Sequence, residues 1–265
     1  HVVRAEEHLS NTPRQVVLYH ALGFKVPMFA HISLILGKDH SKMSKRHGAT
    51  SVEQYKKLGY LPEAIVNFLA LLGWAPQSEQ EIFSIDELVK EFSMEHVAKN
   101  PAVFDIDKLN WINSHYMKKL DVETLTEMAL PHLREAGLVK EELSAENLAW
   151  VRKVVDAVRE YVSFAAQIPE HAAVFFQDEV VMENEETAAI LQDPDIPRVM
   201  DEFLSRIATM DGITGEQVQA TLKAIGKELK LGGKKVFMPI RVALTGKMHG
   251  PELITLIPLL GNVRT

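Results

Sequence analysis

The sequence predicts a mainly α-helical protein with a small α/β segment at its amino-terminal end. Residues 1–36 change from a strand pattern to a helix pattern and back to a strand pattern. Beyond residue 50, helix-capping signals recur ahead of apolar residues spaced three and four apart. No segment carries the succession of short alternating runs that a β-barrel needs.

The α/β segment is predicted to contain a strand, a helix and a second strand. The first strand holds the amino-terminal valines. The helix has Thr12 as its N-cap and Pro13 as its first residue, and it stops at Gly23. One strand is then expected over 28–36, because four apolar residues alternate there: Ala30, Ile32, Leu34 and Leu36. The polar, basic stretch 38–48 follows as a loop.

The remaining helices are placed by capping residues, prolines and glycines. Their starts are expected at or beside Pro62, Ser84, Ile106, Asp121, Ser144, Thr214 and Pro251. The helix capped by Asp121 should be bent or split by Pro131, because proline cannot donate the helical hydrogen bond. The helix capped by Ser144 should run as far as Pro169. The acidic stretch 178–197 is interpreted as a connection between helical lobes.

Composition limits the class of protein. A chain of 265 residues that is 46% hydrophobic can build two domains or several small ones, and no apolar run is long enough to span a bilayer. The absence of cysteine excludes disulfides and thiolate metal sites and fits the cytoplasm, and no metal site is predicted. The chain begins at His1 without an initiator methionine, which suggests a fragment.

Charge is segregated along the chain. The net charge of −7 argues against a general nucleic-acid binder, but seven basic residues against one acid fall within 223–247. Ten acids against one arginine fall within 170–202. Taken alone, this pattern favours solvated helix faces over a nucleic-acid-binding surface.

The string Lys42-Met43-Ser44-Lys45-Arg46 is the feature that most directly suggests chemistry. Two ammonium groups and a guanidinium in a loop after a strand can converge on a polyanion, and Ser44 adds a hydroxyl donor. A triphosphate held there would have its developing charge neutralised where pyrophosphate leaves. Judged on composition only, a solvated basic turn is the favoured interpretation, and the ordered string of five residues is what argues for phosphate binding.

This string resembles the KMSKR form of the signature of class I aminoacyl-tRNA synthetases. The first thirteen residues, HVVRAEEHLSNTP, resemble the strand and turn of bacterial-type glutamyl-tRNA synthetases. Residues 59–74, 104–113 and 241–253 continue the resemblance, which covers essentially the whole chain. The resemblance implies the carboxy-terminal portion of such an enzyme, without the amino-terminal nucleotide-binding half. We therefore expect the isolated chain to be inactive in adenylation.

The resemblance also implies four parts. Residues 1–50 are the end of a Rossmann-like catalytic domain with the KMSKR loop, and residues 51–120 are a stem-contact region. Two all-helical anticodon-binding lobes follow, over 121–170 and 171–265. The implied activity is the ATP-dependent attachment of L-glutamate to tRNA through glutamyl-adenylate, by a cytoplasmic monomer that uses ATP with Mg²⁺.

Site residues are carried over from the resemblance by position. Lys45 is expected to contact the phosphates, assisted by Lys42 and Arg46. Arg4 and His8 are expected to bind glutamate, Arg4 through a bidentate contact with a carboxylate. The other implied ATP contacts are Met43, Ser44 and Glu6. Without the family pattern, the acids and the arginine near the amino terminus would be interpreted as a surface ion-pair cluster.

The tRNA contacts implied by the resemblance are spread over the helical part. The candidates are Arg152, Arg159, Tyr161, Lys234, Lys235 and Arg241. Arg159 and Tyr161 both lie close to the place that reads the third anticodon base, so that assignment stays open, and Tyr161 is equally interpretable as core. Whether the substrate is tRNA-Glu alone or also tRNA-Gln also stays open.

Three rival functions remain at this point. A glutaminyl enzyme shares the catalytic core, but in that family two β-barrels bind the anticodon, which the helical tail here disfavours. A non-catalytic tRNA-binding module would leave residues 42–46 without a purpose. A purely structural helical scaffold would have no affinity for tRNA.

Overall fold

The computed structural model of the protein describes residues 1–43, 51–177, 179–210 and 212–261. The chain divides into two compact units, His1–Lys119 and Leu120–Thr265. The division into four functional parts stays a prediction. Within the described residues, no helix is long and apolar enough to cross a membrane.

The amino-terminal unit begins with α/β structure and continues with helices. Its elements are β1 (Val2–Ala5), α1 (Thr12–Ala21), β2 (Phe29–Ile32), β3 (Ile35–Leu36), α2 (Val52–Leu58), α3 (Pro62–Leu71), α4 (Ile85–Glu91), β4 (Ala102–Val103) and α5 (Ile106–Met117). β1 and β2 pair in parallel, with Arg4 opposite His31, and α1 forms the crossover between them. A short 3-10 turn over Glu6–His8 follows β1.

Among the described residues of the carboxy-terminal unit, all regular secondary structure is helical. Its helices are α6 (Val122–Glu135), α7 (Ala145–Val158), α8 (Ile168–Ala172), α9 (Glu185–Ile190), α10 (Ile196–Ile207), α11 (Gly215–Leu229), α12 (Gly233–Thr245) and α13 (Leu253–Leu260). The acidic stretch 178–197 is therefore more than a connection, because it contains α9 and the first residues of α10.

Local capping signals correctly predicted where helices begin. Ser84 with Glu87 and Thr214 with Gln217 form complete capping boxes, as expected. α6 runs through Pro131 without being split. The cap of α1 was predicted one residue too late: Asn11 holds the N-cap position, and Thr12 is the first helical residue.

The single strand predicted over 28–36 is wrong. β2 ends at Ile32, and β3 pairs in parallel with β4 instead of continuing beside β1. The backbone N–H of Leu34, between the two strands, donates to the Glu6 carboxylate at 3.3 Å. The alternation of apolar residues is the same on both sides of this break, so the pattern of side chains carried no sign of it.

The predicted continuation of α7 to Pro169 is also wrong. The helix ends at Val158, and the chain continues through 3-10 turns and the extended residue Val162 before α8 begins. Val162, Ala165 and Ile168 are all buried. Their spacing of three is compatible with either arrangement, and the non-helical path is the one that brings them into the core formed with α6.

Candidate active site and tRNA-binding surfaces

Arg4 is fixed between β1 and α1. Its Nη2 donates to Thr12 Oγ1 at 2.7 Å and to Gln15 Oε1 at 2.6 Å. The guanidinium lies over the Phe29 ring, 5.1 Å from its centroid. Its Nε is buried and has no hydrogen-bond partner among the described residues. The guanidinium is therefore held in one orientation and keeps a donor for a further acceptor.

The turn after β1 carries Glu6, Glu7 and His8. The Glu6 carboxylate accepts the Leu34 N–H, so it holds the junction between β2 and β3. The backbone oxygen of His8 accepts a hydrogen bond from the Thr12 hydroxyl at 3.1 Å. His8 Nε2 lies 3.9 Å from Glu7 Oε1. The two side chains predicted to bind ATP and glutamate thus already have neighbours: Glu6 is bonded to Leu34, and His8 lies beside Glu7.

The described part of the basic loop is a tight hairpin. The N–H of Gly37 donates to the oxygen of Ser41 at 2.9 Å, and Leu36 forms an antiparallel bridge with Lys42. His40 takes a left-handed conformation with φ of 59°, while the N–H and hydroxyl of Ser41 both donate to Asp39. Ser44, Lys45 and Arg46 lie outside the described residues, whereas Met43 is the last described residue of the loop.

Lys42 lies beside the turn after β1. Its Nζ is 2.6 Å from Glu7 Oε2, and the hydrogen bond and charge of Lys42 hold the pKa of Glu7 below its usual range. Glu7 is three residues from Arg4, on the 3-10 turn that follows β1. The structure therefore brings one predicted phosphate contact to the same strand end as the predicted glutamate contact.

A basic and aromatic face on α5 was missed by sequence reasoning. Lys108 Nζ lies 4.5 Å from the centroid of the Trp111 ring, and the centroid of the His115 ring lies 4.4 Å from that of Trp111. Trp111 is 39% exposed. The spacing of three and then four residues put these side chains on one helix face and was the available signal.

Two of the predicted tRNA contacts lie at the end of α7. Arg159 Nη1 donates to the backbone oxygen of Leu120 at 3.0 Å, and its Nη2 is 3.0 Å from Asp156. Its side chain is only 16% exposed. Tyr161 is 38% exposed and stacks on His171 with 6.3 Å between ring centroids. Of the two, Tyr161 presents the larger surface to a base.

The remaining predicted tRNA contacts differ in what they touch. Arg241 is half-buried, and its Nη1 donates to the oxygens of Gly250 and Pro251 at 3.0 and 2.7 Å. Burial lowers the pKa of Arg241, while the nearby Tyr161 and Glu252 act in the opposite direction. Arg241 therefore holds the turn that precedes α13.

Lys234, Lys235 and Arg152 are placed differently from Arg241. Lys235 is exposed, but its ammonium lies 3.3 Å from Asp195 and 3.7 Å from Asp193, which raise its pKa. Lys234 is exposed beside it. The Nε of Arg152 on α7 is buried and has no hydrogen-bond partner among the described residues.

Comparison with known proteins assigns the two parts of the chain to two families. Residues 1–111 match the family of tRNA synthetases class I (E and Q), catalytic domain, and residues 124–265 match the anticodon binding domain family. Sequence and fold therefore define the class of protein. It has part of a class I aminoacyl-tRNA synthetase catalytic domain, followed by an anticodon-binding domain.

The relatives narrow this class to one family. The chain is 55% identical to a glutamate–tRNA ligase of Desulforamulus reducens over 265 residues, all of this chain and 55% of that protein. It is 53% identical to the Carboxydothermus hydrogenoformans glutamate–tRNA ligase over 98% of this chain and 54% of that protein. The chain belongs to the glutamyl-tRNA synthetase family and spans about half the length of the curated relatives that it matches.

A solved structure agrees with this assignment. The structure of a glutamate tRNA ligase from Elizabethkingia meningosepticum, in complex with its amino acid, superimposes with a TM-score of 0.81 at 30% identity. The match covers all of this chain and 55% of that one. The resemblance to glutamyl-tRNA synthetases and the predicted fold class are therefore confirmed.

Proposed function

We propose that this chain supplies the phosphate-binding loop and the tRNA-binding helices of a glutamate–tRNA ligase. In this reaction the α-carboxylate of L-glutamate attacks the α-phosphate of ATP, which enters with Mg²⁺, and pyrophosphate leaves. A hydroxyl of the terminal adenosine of tRNA-Glu then attacks the carbonyl carbon of the adenylate, so that an ester forms and AMP leaves. Positioning and charge stabilisation supply most of the rate acceleration. The proposed enzyme acts as a monomer in the cytoplasm.

The contact between Lys42 and Glu7 carries the proposal. An ammonium 2.6 Å from the turn after β1 brings the basic loop to the carboxyl end of that strand. Ligands of open α/β sheets bind at this end. Lys45 and Arg46 follow within four residues of Lys42 and are proposed, with Ser44 and Met43, to contact the triphosphate.

Arg4 is proposed to bind the glutamate substrate. Its bonds to Thr12 and Gln15 and its contact with Phe29 fix the guanidinium before any ligand arrives. A guanidinium that is already oriented loses little entropy when it meets a carboxylate. His8, on the turn after β1, is proposed to line the same site. Glu6 is proposed as an ATP contact, although its bond to Leu34 competes with that role.

The face formed by Lys108, Trp111 and His115 is proposed to contact the tRNA stem. Lysine supplies a phosphate contact, and the partly exposed indole offers a flat apolar surface for a sugar or base. The position of this face on α5, within residues 51–120, supports the proposed stem-contact region.

The anticodon is proposed to bind near the stacked pair of Tyr161 and His171. Aromatic side chains of this kind stack on unpaired RNA bases, and two cations lie near the pair: the charge of Lys247 lowers the pKa of His171, and Tyr161 raises that of Arg241. The other proposed tRNA contacts are Arg152, Arg159, Lys234 and Lys235. Phosphate contacts by these cations would make tRNA binding depend on salt.

A chimaera tests the proposal. This chain replaces the matching segment of the Desulforamulus reducens ligase, and charging is measured with glutamate and either tRNA-Glu or tRNA-Gln. We expect charging of tRNA-Glu, and a Lys45→Ala version to lose orders of magnitude in adenylation rate with little change in the glutamate KM. Charging of both tRNAs would identify a non-discriminating enzyme.

Two outcomes would contradict the proposal. A chimaera that folds and binds tRNA but charges neither tRNA would indicate a non-catalytic tRNA-binding module. Equal losses in the adenylation rate and in glutamate affinity for Lys45→Ala would remove the assigned role of the loop.

A further inference from the structure

The basic loop is attached at its first residue to the start of α5. Lys38 Nζ lies 2.5 Å from Asp107 Oδ2 and 3.2 Å from Asp105 Oδ1. All three side chains are half or more exposed, so solvent reaches them. The hydrogen bonds that Lys38 donates to Asp107 and Asp105 raise the pKa of Lys38, in agreement with this geometry. We name Lys38, Asp105 and Asp107 the loop clamp.

The two carboxylates of the loop clamp are held in place by the fold. The N–H of Phe104 donates to Leu36 at 2.8 Å, so the backbone leading to Asp105 follows directly from the pairing of β3 with β4. Asp105 is the N-cap of α5, and its Oδ1 accepts the N–H of Asp107 at 3.0 Å. Burial alone would raise the pKa of Asp105, but Lys38 and the backbone N–H of Asp107 lower it overall.

The opposite end of the same hairpin has a second attachment. Lys42 is paired with Glu7, and between the two ends the N–H of Gly37 donates to the oxygen of Ser41. The hairpin is therefore held from two directions, by the turn after β1 and by the first turn of α5. The orientation of the hairpin therefore fixes the position of Met43, from which the rest of the loop continues.

We infer that Lys38, Asp105 and Asp107 are positioning residues that set the direction of the basic loop toward the triphosphate. This inference rests on the proposed function, because it assumes that residues 42–46 meet ATP. None of the three residues needs to touch substrate. The same helix that fixes the loop also carries the face of Lys108 and Trp111, so the loop and a proposed tRNA contact share one rigid support.

The expected effect is on substrate affinity and not on folding. Exposed ion pairs contribute little to stability, and the first turn of α5 keeps the side-chain cap from Asp105 when Lys38 is removed. When the direction of the loop is no longer fixed, ATP binding must also order the loop. The conformational entropy lost in this ordering weakens the binding of ATP. A network of two exposed pairs corresponds to a change of about two- to tenfold in affinity.

Kinetics of the chimaera described above provide the first test. We expect Lys38→Ala to raise the ATP KM about two- to tenfold and to leave the glutamate KM unchanged. Asp107→Asn should act in the same direction, and the double variant should be no worse than the more affected single variant. Lys38→Arg should restore most of the affinity. Lys57→Ala is the matched control, because it removes an exposed lysine that pairs with Glu53 elsewhere in the unit.

Amide hydrogen exchange on the 265-residue chain provides the second test, without ATP or catalysis. We expect Lys38→Ala to speed exchange at His40, Ser41 and Met43, whose N–H groups are bonded within the hairpin, and to leave the Tm unchanged. Lys57→Ala should leave the exchange rates of these three amides unchanged.

The two tests separate failure of the inference from failure of the proposed function. An unmodified chimaera without glutamate-dependent activity would count against the proposed function, and amide exchange would still decide on the loop clamp. Unchanged amides in Lys38→Ala, or equal changes in the ATP and glutamate KM values, would overturn the inference.

Discussion

Lys42 and Glu7 form an ion pair with 2.6 Å between Nζ and Oε2. Lys42 belongs to the loop after β3, and Glu7 belongs to the turn after β1. Their contact joins two proposed ligand-binding features that are separated by a helix and two strands in the sequence. It also supplies the most direct test of how the described part of the loop is held.

We expect Glu7→Gln to release Lys42 and to raise the ATP KM of the chimaera a few-fold, with the glutamate KM nearly unchanged. Because the pKa of Glu7 is lowered in the folded protein, the pair is fully formed above the usual carboxyl range. It is lost only as the pH falls through the lowered value. The ratio of the variant to the parent ATP KM should therefore be constant from about pH 6 to 8, and a ratio that changes across this range would contradict the prediction.

Replacement of Arg4 by lysine should separate amino-acid binding from nucleotide binding. Lysine keeps the charge but lacks the planar fork, so we expect the glutamate KM to rise roughly ten- to a hundredfold and the ATP KM to change little. Steady-state kinetics of the chimaera measure both KM values, with each substrate varied while the other is saturating. A comparable rise in both KM values would mean that Arg4 mainly holds α1 to β1.

Trp111→Ala should weaken tRNA binding by the 265-residue chain by about 1–3 kcal/mol if the indole stacks on the nucleic acid. Filter binding at several salt concentrations measures the effect, and the salt slope should stay the same because no charge is removed. Val89→Ala on α4, where the valine is 75% exposed, is the control for loss of an exposed apolar side chain. Equal tRNA affinities for the parent chain and Trp111→Ala would exclude this face of α5 as a tRNA-binding surface.

The carboxy-terminal unit should become less stable as the pH falls below the usual histidine pKa. Burial, with a smaller contribution from the charge of Lys247, lowers the pKa of His171, and Glu170 opposes this shift. A histidine whose folded pKa lies below its unfolded value of 6.5 binds its proton first in the unfolded state. Stability is therefore lost as the pH falls through 6.5, and the loss levels off below the folded pKa. The Tm at about pH 7.5 and about pH 5.5, on either side of that value, should differ less in His171→Gln than in the parent, and an equal difference would refute the assignment.

Gly246→Ala should strongly destabilise the carboxy-terminal unit. Gly246 has φ of +68°, and a Cβ built there would lie 2.0 Å from the backbone oxygen of Val181. Backbone cannot yield as a flexible side chain does, so we expect a loss of about 3 kcal/mol or more in the free energy of unfolding. Gly137→Ala is the matched control, with φ of +70° and open space around it, and should cost only about 1 kcal/mol. If urea denaturation gave equal losses in the free energy of unfolding for Gly246→Ala and Gly137→Ala, the clash at Gly246 would be relieved by movement of the backbone.

Sequence patterns predicted those features that depend on neighbouring residues. Capping boxes at Ser84 and Thr214 were predictable because the cap and its partner are three residues apart. The break between β2 and β3 was not, because it depends on a carboxylate from Glu6 and on a partner strand at Ala102–Val103. The end of α7 was not predictable either, since the buried residues beyond Val158 keep a helical spacing after the helix has ended.

The same distinction applies to the candidate site. The ordered string around Lys42 indicated phosphate chemistry, and its place after a strand indicated that it would lie near Arg4. The attachment of Lys38 to Asp105 and Asp107 could not be predicted, because it arises only when β3 and β4 pair. Contacts between residues far apart in sequence leave no local pattern.

The pairing of Ile35 with Ala102 also has a consequence for how the chain folds during synthesis. All of α2, α3 and α4 lies between these two residues, so a ribosome must make the whole intervening stretch before the strand at Ile35 meets its partner. Closing such a long loop is slow compared with forming the helices inside it. The nascent hairpin would therefore lack the partners of Lys38, although Glu7 is already available to Lys42, until residues 102–107 emerge from the exit tunnel.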